Sequence, residues 1–244
     1  MSKALIASGT LEYVEKGQGA PLVLLHGGTG SIDEWGPCVD RFAAKYHVIA
    51  YNRRGYGDST PREVFPVNFL EEDVEDLGAF LDLLGLTQPV FVCAFSDGGT
   101  IALMFAARFP DRVRALVCAG AHIYVEDKAI KGLVHAEGVF EHRIAKLGLK
   151  ETPQIRSQRA WFQRWVHSDA SLLSMEDQLS AITCPTLIIQ GSEDEYAETG
   201  HAERIAEGIK GSELWIVEGA RHWIHGGEHV DAFIEKVMVF LADK

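Results

Sequence analysis

The sequence predicts an α/β fold with a doubly wound, mostly parallel β-sheet. Two observations lead to this prediction. Short apolar blocks alternate with longer amphipathic stretches along most of the chain, which is the pattern of repeated strand–helix–strand units. Most of the apolar blocks are also nearly continuous, as expected of central strands that are buried on both faces of a parallel sheet. The predicted strands cover residues 21–28, 46–52, 89–95, 113–121, 185–194 and 213–222.

Helical patterns fill most of the intervals between these strands. In the stretch FLEEDVEDLGAFLDLLGL, for example, Leu70, Val74, Leu77 and Leu81 recur at the spacing of one helix face. The opening ALIASGTLEYVEKGQGA alternates instead, and it predicts an antiparallel hairpin at one edge of the sheet. The predicted helices lie around 35–45, 68–85, 97–109, 200–210 and 230–242.

Residues 122–180 interrupt this alternation of strands and helices. They contain no convincing strand, but they carry helical patterns such as IKGLVHAEGVFEHRIAKLG and QIRSQRAWFQRWVH. A long excursion of this kind in a compact domain is more often functional than not. The sequence therefore predicts a core formed by residues 1–121 and 181–244, with a short helical lid inserted at 122–180.

The charge and composition argue against several classes of partner. The 244 residues carry a formal net charge of −12 and no basic run, so we expect neither nucleic acid nor an anionic membrane surface as a partner. The longest apolar runs are too short to span a bilayer, and the N-terminus lacks the layout of a signal peptide. The four cysteines form no C-x-x-C pair or His/Cys cluster, so we expect no bound metal and a cytoplasmic location.

The stretch VFVCAFSDGGTIAL (90–103) contains the strongest candidate for a catalytic residue. An apolar strand runs directly into a helical pattern, and Ser96 stands at the change. A sharp strand-to-helix turn that exposes a nucleophile needs small residues two positions before and two positions after it. Ala94 and Gly98 are both small, although alanine replaces the first glycine of the usual G-x-S-x-G pattern. The plain alternative is a buried turn between a core strand and a core helix.

A candidate acid and a candidate base follow Ser96 in the sequence. A serine hydroxyl needs a base to activate it, and a histidine base needs a carboxylate that fixes its tautomer. Asp194 and His222 each stand just past a predicted strand, and catalytic groups in such folds gather at the carboxyl ends of strands. We therefore predict Ser96, Asp194 and His222 as catalytic residues. The alternatives are Glu193 and Glu195 for the acid, and His225 and His229 for the base.

The glycine-rich segment LLHGGTG is the candidate oxyanion loop. A carbonyl under attack needs backbone N–H groups aimed at the developing oxyanion. A glycine-rich loop after a strand can supply one of them, and the amide that follows the nucleophile can supply the other. The predicted donors are the N–H groups of Gly28 and Asp97, with Thr29 as an additional candidate beside Gly28.

The motifs HGGTG, NRRGYGDS, AFSDGG, GSED and GARH together resemble the α/β-hydrolase superfamily, from residue 10 to residue 242. The resemblance implies an eight-stranded, mostly parallel sheet, a lid after the sixth strand, no cofactor, and the chain order of nucleophile, acid and base. NRRGYGDS is similar to the family's D-x-R-G-x-G-x-S turn, with Asn52 in place of the aspartate, and we interpret it as structural. SDGG also resembles biphenyl-hydrolase-like and valacyclovirase-type hydrolases, whose substrates include amino-acid esters.

Asp97, which follows the candidate nucleophile, allows three interpretations. As a nucleophile itself, in dehalogenase-like chemistry, it would place Phe95 where a small residue is required, and this excludes it. In the first turn of a helix, its carboxylate is favoured by the helix dipole, by about 0.3–1 kcal/mol when exposed. Its charge could also attract a cationic substrate such as an amino-acid ester. The last two interpretations stay open.

The predicted function is a serine hydrolase that cleaves a small carboxylic ester or related acyl substrate through an acyl-enzyme. The same constellation serves lactone, aminoacyl-ester and carbon–carbon bond hydrolysis, and the fold can act as a small-molecule receptor with a slow triad, so these alternatives stay open. A monomer and a homodimer are both compatible with the sequence. The candidate substrate contacts are Thr29, Tyr124, Trp161, Trp165 and Trp223, although aromatic residues at helical spacing pack more often than they bind.

Overall fold

The computed structural model describes residues 1–169 and 174–244, and its strands form one eight-stranded sheet. The order across the sheet is β1-β2-β4-β3-β5-β6-β7-β8. Strand β2 is antiparallel to both β1 and β4, and all other neighbours are parallel. This confirms the predicted sheet and the hairpin at its edge. The strands are β1 Ser2–Ile6, β2 Gly9–Lys16, β3 Pro21–Leu25, β4 His47–Tyr51, β5 Val90–Phe95, β6 Val113–Ala119, β7 Thr186–Gly191 and β8 Glu213–Val217.

Helices connect the strands and cover the sheet. The α-helices of the described ranges are α1 Pro37–Phe42, α2 Phe69–Leu83, α3 Asp97–Arg108, α4 Asp127–Leu147, α5 Pro153–Val166, α6 Thr199–Gly208 and α7 Val230–Ala242. Short 3₁₀ helices occur at Ile32–Trp35, Pro110–Arg112, Glu176–Ala181 and Gly227–His229. None of the described helices has both the length and the apolar character needed to cross a membrane.

Two apolar layers lie on the two faces of the sheet. In β3, Val23 and Leu25 belong to one layer, whereas Leu22 and Leu24 belong to the other, because successive side chains of a strand point to opposite faces. Helices α2 and α3 contribute to the first layer, and α1 and α7 contribute to the second. The central strands are therefore buried on both faces, which explains their continuous apolar sequences.

Several strands end earlier than predicted. Strand β3 ends at Leu25, β7 at Gly191 and β8 at Val217, rather than at 28, 194 and 222. After β8 the chain turns at Gly219, whose φ of 70° is left-handed. His222 therefore stands in a loop beyond the strand, and not directly after it. Residues 218–222 read EGARH, and only Ala220 of these five is buried, so the prediction carried the strand past its apolar part into a polar turn.

Helices α4 and α5 lie between β6 and β7, in the segment predicted as a helical insertion. Trp161, Phe162 and Trp165 of α5 are buried in the first apolar layer, whereas no residue of α4 is fully buried. Residues 170–173, which belong to the predicted lid, lie outside the described residues. The division into a core and a lid, and any closing action of this segment, stay predictions.

Candidate active site

Ser96 lies in a sharp turn between β5 and α3. Its φ of 54° and ψ of −125° make it the one non-glycine residue of positive φ in the described ranges, and such a conformation persists only where the surroundings impose it. The Ser96 N–H donates to the Ala119 carbonyl at 2.9 Å. A Cβ atom at Gly98 would lie 2.5 Å from the Leu25 carbonyl oxygen, so glycine is required there. Ala94, by contrast, is buried in the first apolar layer, which accommodates its methyl group.

A chain of hydrogen bonds runs from Ser96 through His222 to Asp194. The Ser96 hydroxyl donates to His222 Nε2 at 3.0 Å, and His222 Nδ1 donates to Asp194 Oδ2 at 2.6 Å. Asp194 Oδ1 accepts the N–H groups of Tyr196 and Ala197 at 2.7 and 3.0 Å. Burial by itself would raise the pKa of Asp194, but His222 and these two N–H groups outweigh it and hold the pKa below its ordinary value. The carboxylate therefore stays ionised beside the imidazole.

The alternative acids and bases lie elsewhere. Glu195 accepts the backbone N–H of His222 at 3.0 Å, and Glu193 is exposed. His225 is buried among aromatic rings, and burial lowers its pKa to about 3. His229 lies beside an exposed glutamate. Of these candidates, the structure places only Asp194 and His222 in line with the Ser96 hydroxyl.

The glycine-rich loop after β3 lies against the serine turn. A Cβ atom at Gly27 would stand 3.1 Å from Ser96 Cβ, and Gly28 lines the same pocket as Ser96. No hydrogen bond within residues 1–169 and 174–244 occupies the N–H of Gly28. The N–H of Asp97 is at the first position of α3, where it has no partner within the helix. Both predicted oxyanion donors therefore lie beside the nucleophile candidate.

Most of the predicted substrate contacts line the pocket in front of Ser96. Thr29, Tyr124, Trp161 and Trp165 all belong to its wall. Trp223 is not among the described lining residues: its side chain is 56% exposed, and its indole N–H donates to His225 Nε2 at 3.2 Å. The prediction of a Trp223 contact is therefore corrected. The indole turns away because it packs on Gly226, where a Cβ atom would lie 2.4 Å from the ring.

The Asp97 side chain lines the pocket and does not cap α3 from the outside. It is 2% exposed, and its Oδ2 accepts the Trp161 indole N–H at 2.8 Å. The nearest imidazole nitrogen, Nε2 of His122, is 3.7 Å from Oδ1. The carboxylate is therefore a buried group at the pocket wall, and its helix-dipole and substrate-recognition interpretations both stay predictions.

Sequence reasoning did not identify three titratable residues of the described pocket lining, Glu34, His122 and Tyr196. Glu34 accepts the Gly27 N–H at 2.7 Å, and burial raises the pKa of its carboxyl to about 8. Burial also lowers the pKa of His122. His122 follows the end of β6, so the rule that selected Asp194 could have found it. Glu34 lies in a 3₁₀ helix after the glycine loop, and no sequence signal marks it.

The pocket places the Ser96 hydroxyl in the same wall as two carboxyl groups. Its described lining contains the carboxyls of Glu34 and Asp97 but no lysine or arginine. Among residues 1–169 and 174–244, no group of three or more His, Cys, Asp or Glu side chains is arranged to hold a metal ion. The arrangement can activate a serine for attack on a carbonyl carbon.

Comparison with known proteins agrees with this geometry. A family model for the alpha/beta hydrolase fold matches residues 20–136. Serine hydrolase BPHL of Homo sapiens is 28% identical over 241 residues, which cover 92% of this chain and 80% of that protein. The 2-hydroxy-6-oxo-2,4-heptadienoate hydrolase of Pseudomonas putida is 28% identical over an alignment of 256 positions, which covers 93% of this chain and 90% of that protein.

Solved structures share the whole fold at low sequence identity. A meta-cleavage product hydrolase from Pseudomonas fluorescens superposes with a TM-score of 0.82 at 21% identity, covering 100% of this chain and 98% of that one. An enol-lactonase from Burkholderia xenovorans gives a TM-score of 0.79 at 19% identity, with 99% and 100% covered. The sheet topology gives this chain the α/β-hydrolase fold, and the family model and the relatives make it similar to hydrolases of that fold.

Proposed function

We propose that this hydrolase cleaves a small carboxylic ester or a related acyl substrate, with Ser96 as nucleophile, His222 as base and Asp194 as the orienting acid. The observation that carries the proposal is the continuous hydrogen-bond chain from the Ser96 hydroxyl through His222 to the buried Asp194 carboxylate. A strained turn presents this hydroxyl to a pocket, which is what a nucleophile requires and a structural serine does not.

In the acylation step, Ser96 Oγ attacks the carbonyl carbon while its proton passes to His222 Nε2. The carbonyl oxygen becomes an oxyanion, which the N–H groups of Gly28 and Asp97 stabilise. When the tetrahedral intermediate collapses, the bond to the leaving oxygen breaks and His222 gives its proton to that oxygen. The product of this half-reaction is an ester of Ser96, and the alcohol departs.

In the deacylation step, water repeats the attack. His222 Nε2 takes a proton from the water, whose oxygen bonds to the acyl carbon and forms a second oxyanion at the same two N–H groups. Collapse of this intermediate breaks the bond to Ser96 Oγ and returns the proton to it. Asp194 keeps its negative charge throughout and stabilises the imidazolium that forms twice in each cycle.

Labelling with a fluorophosphonate, followed by peptide mass spectrometry, tests the proposed nucleophile. We expect one adduct on Ser96, and we expect His222→Ala to lower the labelling rate by about 10³-fold or more, since the base is lost. His229→Ala is the matched control and should label as the wild type does. An adduct on another serine, or equal labelling of the two histidine variants, would refute the proposed triad.

The carboxyl groups of the pocket favour neutral or amine-bearing acyl esters over anionic substrates. Relatives such as the heptadienoate hydrolase are named for carboxylate substrates, but the described lining of this pocket has two carboxyls and no cationic side chain. Burying an anionic substrate there would leave its charge unpaired. An acyl group with an amine can instead pair with Asp97. An aminoacyl ester is therefore our second candidate substrate, and a neutral acyl ester is the first.

Paired substrates distinguish these candidates. We would compare an alanine ester with the propionate ester of the same alcohol, in the wild type and in Asp97→Asn. Asparagine keeps an acceptor for the Trp161 N–H and keeps the backbone N–H, but it removes the charge. Recognition of the amine predicts that the wild type prefers the alanine ester by about 10-fold or more, and that Asp97→Asn loses most of this preference. Asp111→Asn, on the exposed surface, is the control. Equal rates for the two esters in the wild type would eliminate the aminoacyl candidate.

Turnover separates the enzyme from a receptor with a slow triad. A hydrolase releases many equivalents of acid per chain, whereas a receptor gains thermal stability from its ligand without release. We propose a small-molecule acyl substrate as the partner and the cytoplasm as the location. Steady product formation that exceeds the enzyme concentration many times would exclude the receptor.

A further inference from the structure

We propose that Arg53 is a positioning residue for the oxyanion donor. Its guanidinium holds the carbonyl of Gly27, so that the N–H of Gly28, at the other end of the same peptide unit, faces the substrate carbonyl. The inference rests on the proposed function, because it assigns a role within that reaction. It also changes the interpretation of NRRGYGDS, which the sequence indicated to be a structural turn.

The buried side chain of Arg53 makes two hydrogen bonds, one to a carboxylate and one to a backbone carbonyl. Nη1 donates to Asp73 Oδ2 at 2.8 Å, and Nη2 donates to the Gly27 carbonyl oxygen at 2.9 Å. The planar fork of a guanidinium makes these two bonds in fixed relative directions. Asp73 thus holds the guanidinium through Nη1, and the guanidinium in turn holds the Gly27 carbonyl of the glycine loop through Nη2.

Three donors converge on the Gly27 oxygen. Besides Arg53 Nη2, His26 Nδ1 donates to it at 2.8 Å and the Gly30 N–H at 3.3 Å. The His26 tautomer is set by Arg53 as well, since the Arg53 backbone N–H donates to His26 Nε2 at 3.0 Å and leaves the proton on Nδ1. Burial keeps the pKa of His26 well below its usual value, so the ring stays neutral. Arg53 therefore acts on this carbonyl through its side chain and its main chain.

The geometry of a peptide unit carries this constraint to the active site. The described chain has no cis peptide bond, and in a trans unit the C=O and N–H bonds point in opposite directions. With the Gly27 oxygen fixed on the Arg53 side, the Gly28 N–H points away from Arg53. Donors on a carbonyl also polarise the attached N–H, which strengthens it as a donor. The preceding N–H, of Gly27, is held by Glu34 at 2.7 Å.

Arg62 provides a matched control within the same cluster. Its Nη2 forms an ion pair with the other oxygen of Asp73 at 2.9 Å, and its side chain is buried to a similar degree. None of the described hydrogen bonds joins its side chain to the glycine loop; its other acceptor is Glu72. A substitution at Arg62 therefore disturbs the same buried carboxylate without touching the oxyanion donor.

The test compares Arg53→Lys with Arg62→Lys on an oxygen ester and on the corresponding thionoester. A lysine ammonium keeps the charge but cannot span both Asp73 and Gly27 in the geometry of a fork. The thiono sulfur is a weak acceptor with a longer bond to carbon, so a native oxyanion site discriminates against it. A structural defect lowers both rates equally, whereas a misplaced donor lowers the rate for the oxygen ester more.

We expect Arg53→Lys to lower kcat for the oxygen ester by about 10- to 100-fold, short of the 10²–10³-fold loss that follows removal of a whole donor. We expect KM to change little and the oxygen-to-sulfur rate ratio to fall by a similar factor. Arg62→Lys should keep both kcat and the ratio within about threefold, whatever its melting temperature. An unchanged ratio in Arg53→Lys, or equal losses in the two variants, would overturn the inference.

A second variant covers the case in which Arg53→Lys does not fold. The pair Arg53→Gln with Asp73→Asn removes both charges of this ion pair together, and Arg62, which also pairs with Asp73, keeps Glu72 as its partner. The same fall in the rate ratio is expected, and the same absence of change would contradict it. Failure of the proposed function is a separate result, because the wild type itself would then turn over neither ester.

Discussion

Two carboxyl groups of the active site are held in opposite ionisation states by their surroundings. Asp194 is buried but meets an imidazole and two backbone N–H groups, which hold its pKa below the ordinary value. Glu34 meets one N–H and a low-polarity surrounding, and its pKa rises to about 8. Near neutral pH, Asp194 is therefore an anion that orients His222, whereas Glu34 is mostly a neutral clamp on the glycine loop. Such separation of similar groups is typical of catalytic sites.

The raised pKa of Glu34 predicts a loss of stability as the pH increases. The folded protein keeps this proton up to about pH 8, whereas an unfolded chain releases it near the ordinary value of 4.5. Between these values the folded state binds more protons, so the free energy of unfolding falls with pH and levels off above about 8. Glu34→Gln has no such proton and should gain stability over the wild type, on the order of 1 kcal/mol or more, from pH 5 to pH 9.

Urea unfolding of both proteins at pH 5, 7 and 9 measures this difference. Glu235→Gln, at an exposed position of α7, is the control and should track the wild type at all three values. A constant difference between Glu34→Gln and the wild type across this range would show that Glu34 titrates normally in the folded protein.

The sequence indicated Ser96, Asp194 and His222 because each has a local signal. Ser96 stands between small residues at a strand-to-helix change, and the other two follow apolar strands. Glu34 has no signal of this kind, because only the fold brings its carboxyl to the Gly27 N–H. Trp223 shows the opposite error, since proximity to His222 in the chain did not place its ring in the pocket.

At the scale of elements, the serine turn depends on the close approach of α3 to the end of β3. Gly98→Ala should prevent this approach, because the added Cβ would lie 2.5 and 2.6 Å from two backbone oxygens that cannot rotate away. We expect a loss of about 2 kcal/mol or more in stability and a large loss of activity. Gly138→Ala in α4 is the control: no atom lies within 4 Å of its added Cβ, so helix propensity should make it neutral or stabilising by up to about 1 kcal/mol. Similar losses in both variants, measured by urea unfolding, would contradict the predicted steric contact.

Within the described part of the chain, one hydrogen bond joins α5 to α3, from the Trp161 indole N–H to Asp97 Oδ2. Trp161→Phe should leave one oxygen of a buried carboxylate without that donor and cost about 1–3 kcal/mol beyond lost packing. Trp165→Phe is the matched control, since the buried indole nitrogen of Trp165 has no hydrogen-bond partner among residues 1–169 and 174–244. Urea unfolding of both variants measures the loss of stability in each. If Trp165→Phe is destabilised as much as Trp161→Phe, the contact with Asp97 adds nothing to packing.

Strand interiors were predictable where strand ends were not. The interiors of β3, β5, β6 and β7 are buried on both faces, so their apolar runs identify them. Their ends depend on where neighbouring strands stop pairing, which is a property of the assembled sheet. The edge strand β8 pairs on one side only, and the polar residues 218–222 that follow it form a mostly exposed loop. Short-range patterns therefore place such elements well and their limits poorly.

At the scale of the whole molecule, the charge of the pocket has the same sign as the charge of the protein. The chain carries a net charge of −12, and the described pocket lining adds the Asp97 carboxyl, the mostly neutral Glu34 carboxyl and no lysine or arginine. The potential of the whole molecule should therefore raise the local concentration of cationic substrates and lower that of anionic ones. This long-range selection acts in addition to any direct contact with Asp97.

Salt dependence tests this selection. For a cationic aminoacyl ester we expect kcat/KM to fall by about 3- to 10-fold between about 10 mM and 500 mM salt, because the screening length shrinks from about 30 Å to a few ångströms. For the uncharged ester of the same alcohol it should change by less than about twofold. Asp97→Asn should retain most of the salt dependence, since it removes one charge of many, while it loses the preference for the amine at every salt concentration. If the two esters respond equally to salt in the wild type, the net charge makes no contribution to substrate choice, and selectivity is decided by contacts within the pocket alone.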